Sequence, residues 1–277
     1  MERTGTGDPL RSLALLWRTE VKTGRSGLTL DRIIAAAIAV ANEIGVDAMS
    51  MRKIAEQLGV GVMTLYSHVP GKAELVDLMV DFANGSAYAD GTTPAPGSDW
   101  RAAIEQIAEH NWRLLEAHRW MLGVDSQRPP LGPGTIAKYD IELRPLVGIG
   151  LDDVEVDQVL TLVLGQVTHA ARQMLGQIET AAGSGRDDSE WWASSGPALD
   201  RLIDSKRFPH AARIGEAAGQ EFKAASDPRR AYEFGLRTIL DGIETLIARR
   251  RGPDESTNGA GGGRDRQVAV DQEQRQA

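Results

Sequence analysis

Apolar residues recur at three- and four-residue spacings along most of the chain, and runs of alternating β-branched residues do not occur. This spacing is typical of helices that bury one face. The pattern therefore predicts an all-α protein. The predicted helices span 10–18, 30–44, 51–58, 62–68, 72–88, 100–118, 135–147, 153–179, 196–205 and 228–251, with polar loops at 91–99, 127–134 and 181–195.

Two neighbouring helices carry clear boundary signals. Thr29 and Ser50 each occupy an N-cap position, and apolar residues flank each of them at the positions of a hydrophobic staple. Gly45 and Gly59 follow the two helices where a left-handed C′ residue is favoured. Local sequence therefore defines both helices closely.

The helices at 51–58 and 62–68 form a candidate helix-turn-helix, joined through the sequence LGVG. In such a motif the first helix braces the second, whose amino-terminal side chains enter the major groove of DNA. Small and apolar residues would lock the pair together, namely Ala55, Leu58, Val60 and Leu65. The alternative is that any two short helices joined by a glycine turn show this spacing.

Seven residues are candidates for DNA contact. The set near the bases comprises Arg52, Val62, Met63 and Thr64, because apolar groups suit thymine methyls and the hydroxyl or guanidinium can donate to bases or phosphates. Donors on the same side as the turn suit phosphates, namely Tyr66, His68 and Lys72. Lys22 and Arg25 could enter a minor groove, although a solvated linker at 23–27 is the simpler interpretation.

The net charge of −8 would by itself argue against a nucleic-acid partner. The charge is unevenly distributed, however, because residues 1–80 hold nine basic and nine acidic side chains. All of the net negative charge lies in residues 81–277, which permits DNA binding at the amino-terminal end.

Composition excludes several other classes. The chain has no cysteine, which removes disulfide frameworks, thiolate zinc sites and thiol catalysis. The longest apolar stretch covers only residues 33–41, well short of the roughly 20 residues of a membrane span, and the first nine residues resemble no secretory signal. We therefore expect a cytoplasmic protein without a membrane partner. The glycine-rich, apolar-poor segment 252–277 is expected to be disordered.

Residues 30–81 resemble the amino-terminal domain of TetR-family transcriptional repressors, above all in GVGVMTLYSHVPGK at 59–72 and SMRKIA at 50–55. The leading helix and the long carboxy-terminal region are similar to the branch that includes the tetracycline repressor. The resemblance implies a homodimer that binds a palindromic operator and responds to a small-molecule effector. Together with the loop composition and the helix pattern, it predicts an arm at 1–27 with a possible short helix, a DNA-binding domain at 28–88, an effector-binding and dimerisation domain at 89–251, and a disordered tail at 252–277.

Polar and aromatic side chains interrupt two apolar helix faces in the expected effector domain. The candidates for effector contact are Asn111, Trp112, His118, Gln166, His169, Arg172 and Gln173. A buried Asn needs a hydrogen-bonding partner, which a ligand can provide. The alternative for the residues at 166–173 is a polar seam that faces solvent or a subunit interface. Trp120, Trp191 and Trp192 could also line a pocket, the last two as a mobile lid.

The helices at 153–179 and 228–251 are the longest of the carboxy-terminal part, and two from each subunit would form a four-helix dimer interface. Core candidates in the second helix are Phe234, Leu236, Ile239, Leu240, Ile243, Leu246 and Ile247.

Two rival functions remain open at this point. An all-α enzyme could use the acidic pairs at 152–153 and 187–188 to hold a metal and a diphosphate, although both pairs suit non-catalytic positions. A ligand-binding dimer that does not bind DNA is the other. Since the sequence lacks the spacings of common hydrolase, nucleotide and zinc motifs, no catalytic residue, metal or cofactor is expected.

Overall fold

The computed structural model describes residues 1–19, 27–94 and 99–251, which are almost entirely helical. The first helices are α1 (Pro9–Leu16), α2 (Leu30–Ile44), α3 (Met51–Leu58), α4 (Val62–His68) and α5 (Lys72–Ser86). The others are α6 (Trp100–Ala117), α7 (Pro133–Leu143), α8 (Asp153–Ser184), α9 (Asp188–Leu202), α10 (Pro209–Phe222) and α11 (Pro228–Arg251). Short 3₁₀ helices span Arg119–Gly123 and Arg144–Leu146. The all-α prediction is confirmed, whereas the expectations for Lys22, Arg25 and the tail lie outside the described residues.

The caps of α2 and α3 are those that local sequence predicts. Thr29 and Ser50 each accept a hydrogen bond of 3.3 Å from the backbone N–H three residues later. Gly59 ends α3 in the left-handed conformation, with φ of 66° and ψ of 31°. Because a side chain would strain this conformation, glycine suits the tight turn between α3 and α4.

Two apolar cores organise the chain. The first joins α2, α3, α4 and α5 and includes the fully buried Ile33, Ile54, Leu65, Leu75 and Met79. The second joins α6, α8 and α11 and includes Ile104, Ile107, Val163, Val167 and Leu240. Phe82, one turn after Leu78 on α5, is 46% exposed and lies outside the first core.

Helix α5 is bound closely to α7. Gly85 and Gly134 face each other, and a Cβ on Gly85 would lie only 3.2 Å from the Gly134 Cα. The Asp81 carboxylate accepts hydrogen bonds from the backbone N–H groups of Gly134 (3.3 Å) and Thr135 (2.8 Å). Asp81 thereby caps the start of α7, where Gly132 has no capping side chain. A displacement of α7 would therefore be passed to α5.

An amino-terminal strand, absent from the sequence-based prediction, also bridges distant segments. The strand β1 (Glu2–Arg3) pairs in parallel with β2 (Val124–Asp125). The Gly5 N–H donates to the Asp77 carboxylate of α5 over 2.9 Å, and the Ser12 hydroxyl donates to the same group over 3.1 Å. Burial raises the pKa of Asp77, and these hydrogen bonds oppose the shift.

The carboxy-terminal helices depart from the prediction. The segment 181–195 is not a loop, since α8 continues to Ser184 and α9 begins at Asp188 rather than at 196. The reason is a capping box in which Asp187 and Glu190 bind each other's backbone N–H groups. Helix α10 was not predicted. Trp191 and Trp192 lie within the first two turns of α9, close to the short connection that follows α8, and their role as a lid stays a prediction.

Candidate nucleic-acid interface and effector region

Helix α4 is held against α3 by apolar contacts at the base of the turn. Leu65 and Ile54 have no exposed surface, and Ala55 is only 2% exposed. Val60 and Leu58, at either end of the turn, are partly buried against the same core. This packing leaves the opposite side of α4 free and fixes which of its side chains project.

The residues predicted to contact DNA differ in how far they project from α4. Met63 is 74% exposed and Tyr66 is 42% exposed, so these two side chains dominate the free face. Val62 is partly buried against the first core, and Thr64 and His68 are half-buried. The predicted outward face is therefore centred on Met63 and Tyr66 rather than on Val62.

Two of the basic residues in or near the motif, Arg52 and Lys72, have acidic partners. The exposed Arg52 guanidinium lies 2.9 Å from the Glu56 carboxylate, one turn along α3. The Lys72 ammonium lies 2.8 Å from the Glu2 carboxylate and donates to the Asp47 carbonyl over 3.2 Å. The Arg52–Glu56 pair is exposed and contributes at most about 1 kcal/mol, so a phosphate can replace Glu56. The Lys72–Glu2 pair is half-buried. Glu2 was missed because its pairing with Lys72 depends on the amino-terminal strand.

Asn111 is buried, as its place on the apolar face of α6 predicts, and its partners lie within the chain. Its amide donates to the Glu142 carboxylate over 2.6 Å and to the Ile107 carbonyl over 2.9 Å. Glu142, only 1% exposed, also accepts from the Tyr88 hydroxyl at 3.0 Å and from Lys138 at 2.8 Å. Burial and the nearby Glu142 charge raise the pKa of Tyr88, which keeps its hydroxyl protonated as a donor.

A second group of predicted effector residues surrounds the end of α6. Trp112 is 7% exposed, packs 5.2 Å from the Tyr232 ring, and lines a crevice of about 50 Å³ between α6 and α8. Arg172 donates to the Leu122 carbonyl over 3.2 Å at the side of this crevice. Among the described residues, no group pairs with the buried Nδ1 of His118, and burial lowers the pKa of this histidine. The crevice is far smaller than the 300–1,000 Å³ of typical ligand sites.

The remaining predicted effector residues lie on the other side of α8. His169 and Gln173 are exposed, and Gln166 is half-buried against Gly235 of α11. Leu162, 53% exposed, precedes Gln166 by one turn and shares this side of the helix. We call the residues Leu162, Gln166, His169 and Gln173 the α8 seam. The structure therefore does not bring all seven predicted effector residues together.

Both acidic pairs that an enzyme could use begin helices. Asp152 and Asp187 each cap a helix through their carboxylates, in capping boxes with Glu155 and Glu190. Within the described ranges, no three potential metal ligands of the His or acidic type lie together. None of the helices in those ranges is long and apolar enough to cross a membrane.

A braced α3–α4 pair with a projecting face, followed by a larger helical part, defines a helix-turn-helix regulator with a second helical domain. The chain belongs to the TetR family. A family profile described as "Tetracyclin repressor-like, C-terminal domain" matches residues 93–247. Another, described as "Bacterial regulatory proteins, tetR family", matches residues 33–79. The resemblance inferred from the sequence is confirmed.

Characterised relatives extend over most of the chain. The HTH-type transcriptional repressor DrrR1 of Streptomyces coeruleorubidus is 38% identical over 257 residues, which is 91% of each chain. The class C tetracycline repressor protein of Escherichia coli is 26% identical over 219 residues, covering 79% of this chain and 92% of its own. The structure of Streptomyces coelicolor ActR in complex with actinorhodin aligns with a TM-score of 0.66 at 26% identity, covering 80% of this chain and 99% of ActR.

Proposed function

We propose that this protein is a homodimeric transcriptional repressor that acts in the cytoplasm, binds a palindromic operator through α4 and is released by a small-molecule effector. The observation that carries the proposal is the free face of α4, where Met63 and Tyr66 project from a helix anchored by the buried Leu65. The relationship to DrrR1, named as a repressor and matched over 91% of both chains, supports the regulatory role. The proposed role is not catalytic.

In the proposed complex, α4 enters the major groove. Met63 presents apolar surface to thymine methyls, and Thr64 and Val62 lie beside it at the start of the helix. Tyr66, His68 and Lys72 contact phosphates, and Arg52 reaches a phosphate or a guanine after releasing Glu56. To contact a phosphate, Lys72 must break its ion pair with Glu2 of the strand β1. DNA binding would therefore be coupled to the amino-terminal strand.

The α8 seam and the adjacent part of α11 are the proposed dimer interface. Leu162 and Phe234 are 53% and 64% exposed, although both lie on long helices near the contact of Gln166 with Gly235. Leu240, Ile243 and Ile247 already pack within the protomer, so they stabilise α11 rather than contact a partner. Burying the exposed apolar groups against a second copy would remove them from water, which favours association.

The proposed effector acts on the contact between α5 and α7. Asn111, Glu142 and Tyr88 link the core of the second domain to the end of α5, and Asp81 links α5 to the start of α7. An effector that favours another placement of α7 would shift α5 and the attached α4. The difference between the effector's affinities for the two placements of α7 sets how much operator affinity is lost. A coupling free energy of about 1–3 kcal/mol would change operator affinity about 5–150-fold. The ligand-bound structure of ActR supports an effector in this family.

The experiment that tests the operator contact compares two aromatic residues of similar exposure. Tyr66 is 42% exposed on α4, and Phe208 is 46% exposed immediately before α10. Tyr66→Ala should weaken binding to a selected operator duplex at least about tenfold, because it removes a hydrogen bond to a charged phosphate. Phe208→Ala should leave the affinity unchanged. Fluorescence anisotropy measures both.

The same titration separates the rival functions. Equal affinities for wild type, Tyr66→Ala and Phe208→Ala would overturn the proposed role of α4. A folded dimer that binds no selected duplex at all, with or without candidate effectors, would favour a ligand-binding protein that does not bind DNA.

A further inference from the structure

The amino-terminal strand β1 is attached to a segment that belongs to both cores. Its partner β2 follows the 3₁₀ helix Arg119–Gly123, in which Trp120 packs in the first core and Leu122 in the second. Val124 of β2 is only 2% exposed, so the packing around it fixes the position of β2. The strand β1 is therefore paired with a well-defined part of the fold.

The register of β1 is fixed further by hydrogen bonds and close packing after the strand. The Thr4 N–H donates to the Asp125 carbonyl over 3.1 Å, and the Thr4 hydroxyl donates to the Arg128 carbonyl over 2.7 Å. Gly5 adopts φ of 64°, and a Cβ at this position would lie 2.7 Å from the Arg128 Cβ. We call residues 2–5 the strap, because these contacts allow little variation in where they lie.

The strap brings a carboxylate to the start of α5. Glu2 is paired with Val124 in the strand register, and its carboxylate lies 2.8 Å from the Lys72 ammonium. The Glu2 and Lys72 side chains are 32% and 24% exposed, whereas those of the Arg52–Glu56 pair are 62% or more exposed. Water and salt therefore screen the pair at the strap less than they screen the pair on α3.

Two of the three N–H groups of the Lys72 ammonium already have partners. One partner is the Glu2 carboxylate, and the other is the Asp47 carbonyl at 3.2 Å. A DNA phosphate would compete with the Glu2 carboxylate for the same positive charge. While Glu2 is in place, the ion pair is neutral and attracts a phosphate far less than a free ammonium does.

We propose that the strap is an autoinhibitory element, in which the pairing of β1 with β2 holds Glu2 against Lys72 and thereby lowers operator affinity. This inference rests on the proposed function, because it requires that Lys72 contact a phosphate of the operator. The strand sets the position of Glu2, so release of the strap should have the same effect as removal of the Glu2 charge. Both changes should strengthen DNA binding.

Removal of the charge is the first test. Glu2→Gln in the full chain should tighten binding to a selected operator duplex about tenfold, because each of the two half-sites gains a phosphate contact worth roughly threefold. The affinity should also depend more steeply on salt, since a contact that breaks no ion pair releases more counterions. Fluorescence anisotropy at several salt concentrations measures both quantities. Glu43→Gln, at an exposed position of α2, is the control for loss of one negative charge and should change neither.

A double-substitution cycle tests whether Glu2 acts through Lys72. Lys72→Met alone should weaken operator binding, because it removes the phosphate contact. In the Lys72→Met background, Glu2→Gln should bring no further change, since the competition for the ammonium no longer exists.

Gly5→Ala tests the strap itself while the charge of Glu2 is retained. The new Cβ would meet Arg128 and strain the backbone at φ of 64°, so β1 should detach from β2. Hydrogen exchange of the Thr4 N–H should become faster, a measurement that needs no DNA. Operator affinity should rise as for Glu2→Gln, without a further gain when the two are combined. Thr4→Val, which removes the hydroxyl bond to Arg128, serves if Gly5→Ala unfolds on thermal denaturation.

Several results would overturn the proposal. Unchanged or weaker operator binding by Glu2→Gln would mean that Glu2 positions Lys72 or has no role in binding. An undiminished effect of Glu2→Gln in the Lys72→Met background would mean that Glu2 acts elsewhere. Faster exchange at Thr4 without a rise in operator affinity would separate the strap from DNA binding. In these cases wild type still binds its operator and the proposed function stands, whereas loss of specific binding in all proteins, wild type included, would overturn both.

Discussion

The α3–α4 pair and the interior of the second domain are stabilised in different ways. Buried apolar contacts join α3 to α4, through Ile54, Ala55 and Leu65. The second domain instead buries a carboxylate, Glu142, with three donors from Lys138, Asn111 and Tyr88 as partners. Apolar contacts tolerate change gradually, whereas a buried charge depends on every partner. The helix proposed to contact DNA is thus held by apolar packing, and it is attached to a domain whose stability should be sensitive to single polar changes.

The largest effect should come from removing one partner of the buried charge. Lys138→Met leaves Glu142 without its cation in a site where the two side chains are 9% and 1% exposed. The free energy of unfolding should fall by about 3–5 kcal/mol, as for other broken buried pairs. Urea denaturation measures the change.

Arg113→Met is the matched control, because Arg113 and Glu109 form an ion pair with the same spacing on the exposed side of α6. Its loss should cost less than about 1 kcal/mol. Equal effects of the two substitutions would remove the contrast between the two regions.

The next effect concerns the apolar contact beneath α4. Leu65→Ala should lower the free energy of unfolding by about 3 kcal/mol, because Leu65 is fully buried and its truncation leaves a cavity. Met63→Ala, two residues earlier and 74% exposed, should change stability by less than about 0.5 kcal/mol. A larger loss for Met63→Ala than for Leu65→Ala would contradict the assigned orientation of α4.

The contrast between local contacts and contacts of distant residues explains how much of the fold could be predicted from the sequence. The limits of α3 follow from Ser50 and Gly59, which act on backbone groups within a few residues. The start of α9 also had a local signal, the Asp187–Glu190 capping box, but the polar composition of residues 181–195 favoured a loop. Local sequence patterns thus define most of the helices. Helix boundaries are predicted wrongly where the polar composition of a segment is given more weight than a capping residue within it.

The polar network could not be predicted, because its members are distant in the chain. Glu142 meets Tyr88 and Asn111 across separations of 54 and 31 residues, and no periodicity encodes such contacts. The pairing of Glu2 with Lys72 has the same origin. Residues that project from one short helix were therefore predicted better than residues that depend on helix packing.

A smaller effect should follow from the turn between the helices. Gly59→Ala places a Cβ at φ of 66°, with no neighbouring atom within 4 Å of it. The cost should therefore be conformational only, about 1–2 kcal/mol in the free energy of unfolding. Thermal denaturation of the variant measures it, and an unchanged midpoint would show that the turn does not require glycine.

The smallest effect is a dependence on pH in the second domain. Burial lowers the pKa of His118, so the unfolded chain binds a proton at a higher pH than the folded protein does. Stability should fall as the pH drops below about 6.5, the usual pKa of histidine. His118→Leu should weaken this dependence, and His210→Leu, at an exposed position, should not. Denaturation at pH 7.5 and 5.5 provides the comparison.

The most direct measurement of the role of α4 is selection of bound sequences from random duplex DNA at roughly physiological salt, where non-specific binding is weak. Wild type should enrich a palindrome with half-site centres about 10–10.5 base pairs apart, or a multiple of that distance. Met63→Ala should enrich the same palindrome with relaxed preference at one position of each half-site. No enriched sequence, or an identical motif from both proteins, would contradict the assignment of α4 as the helix that contacts the bases.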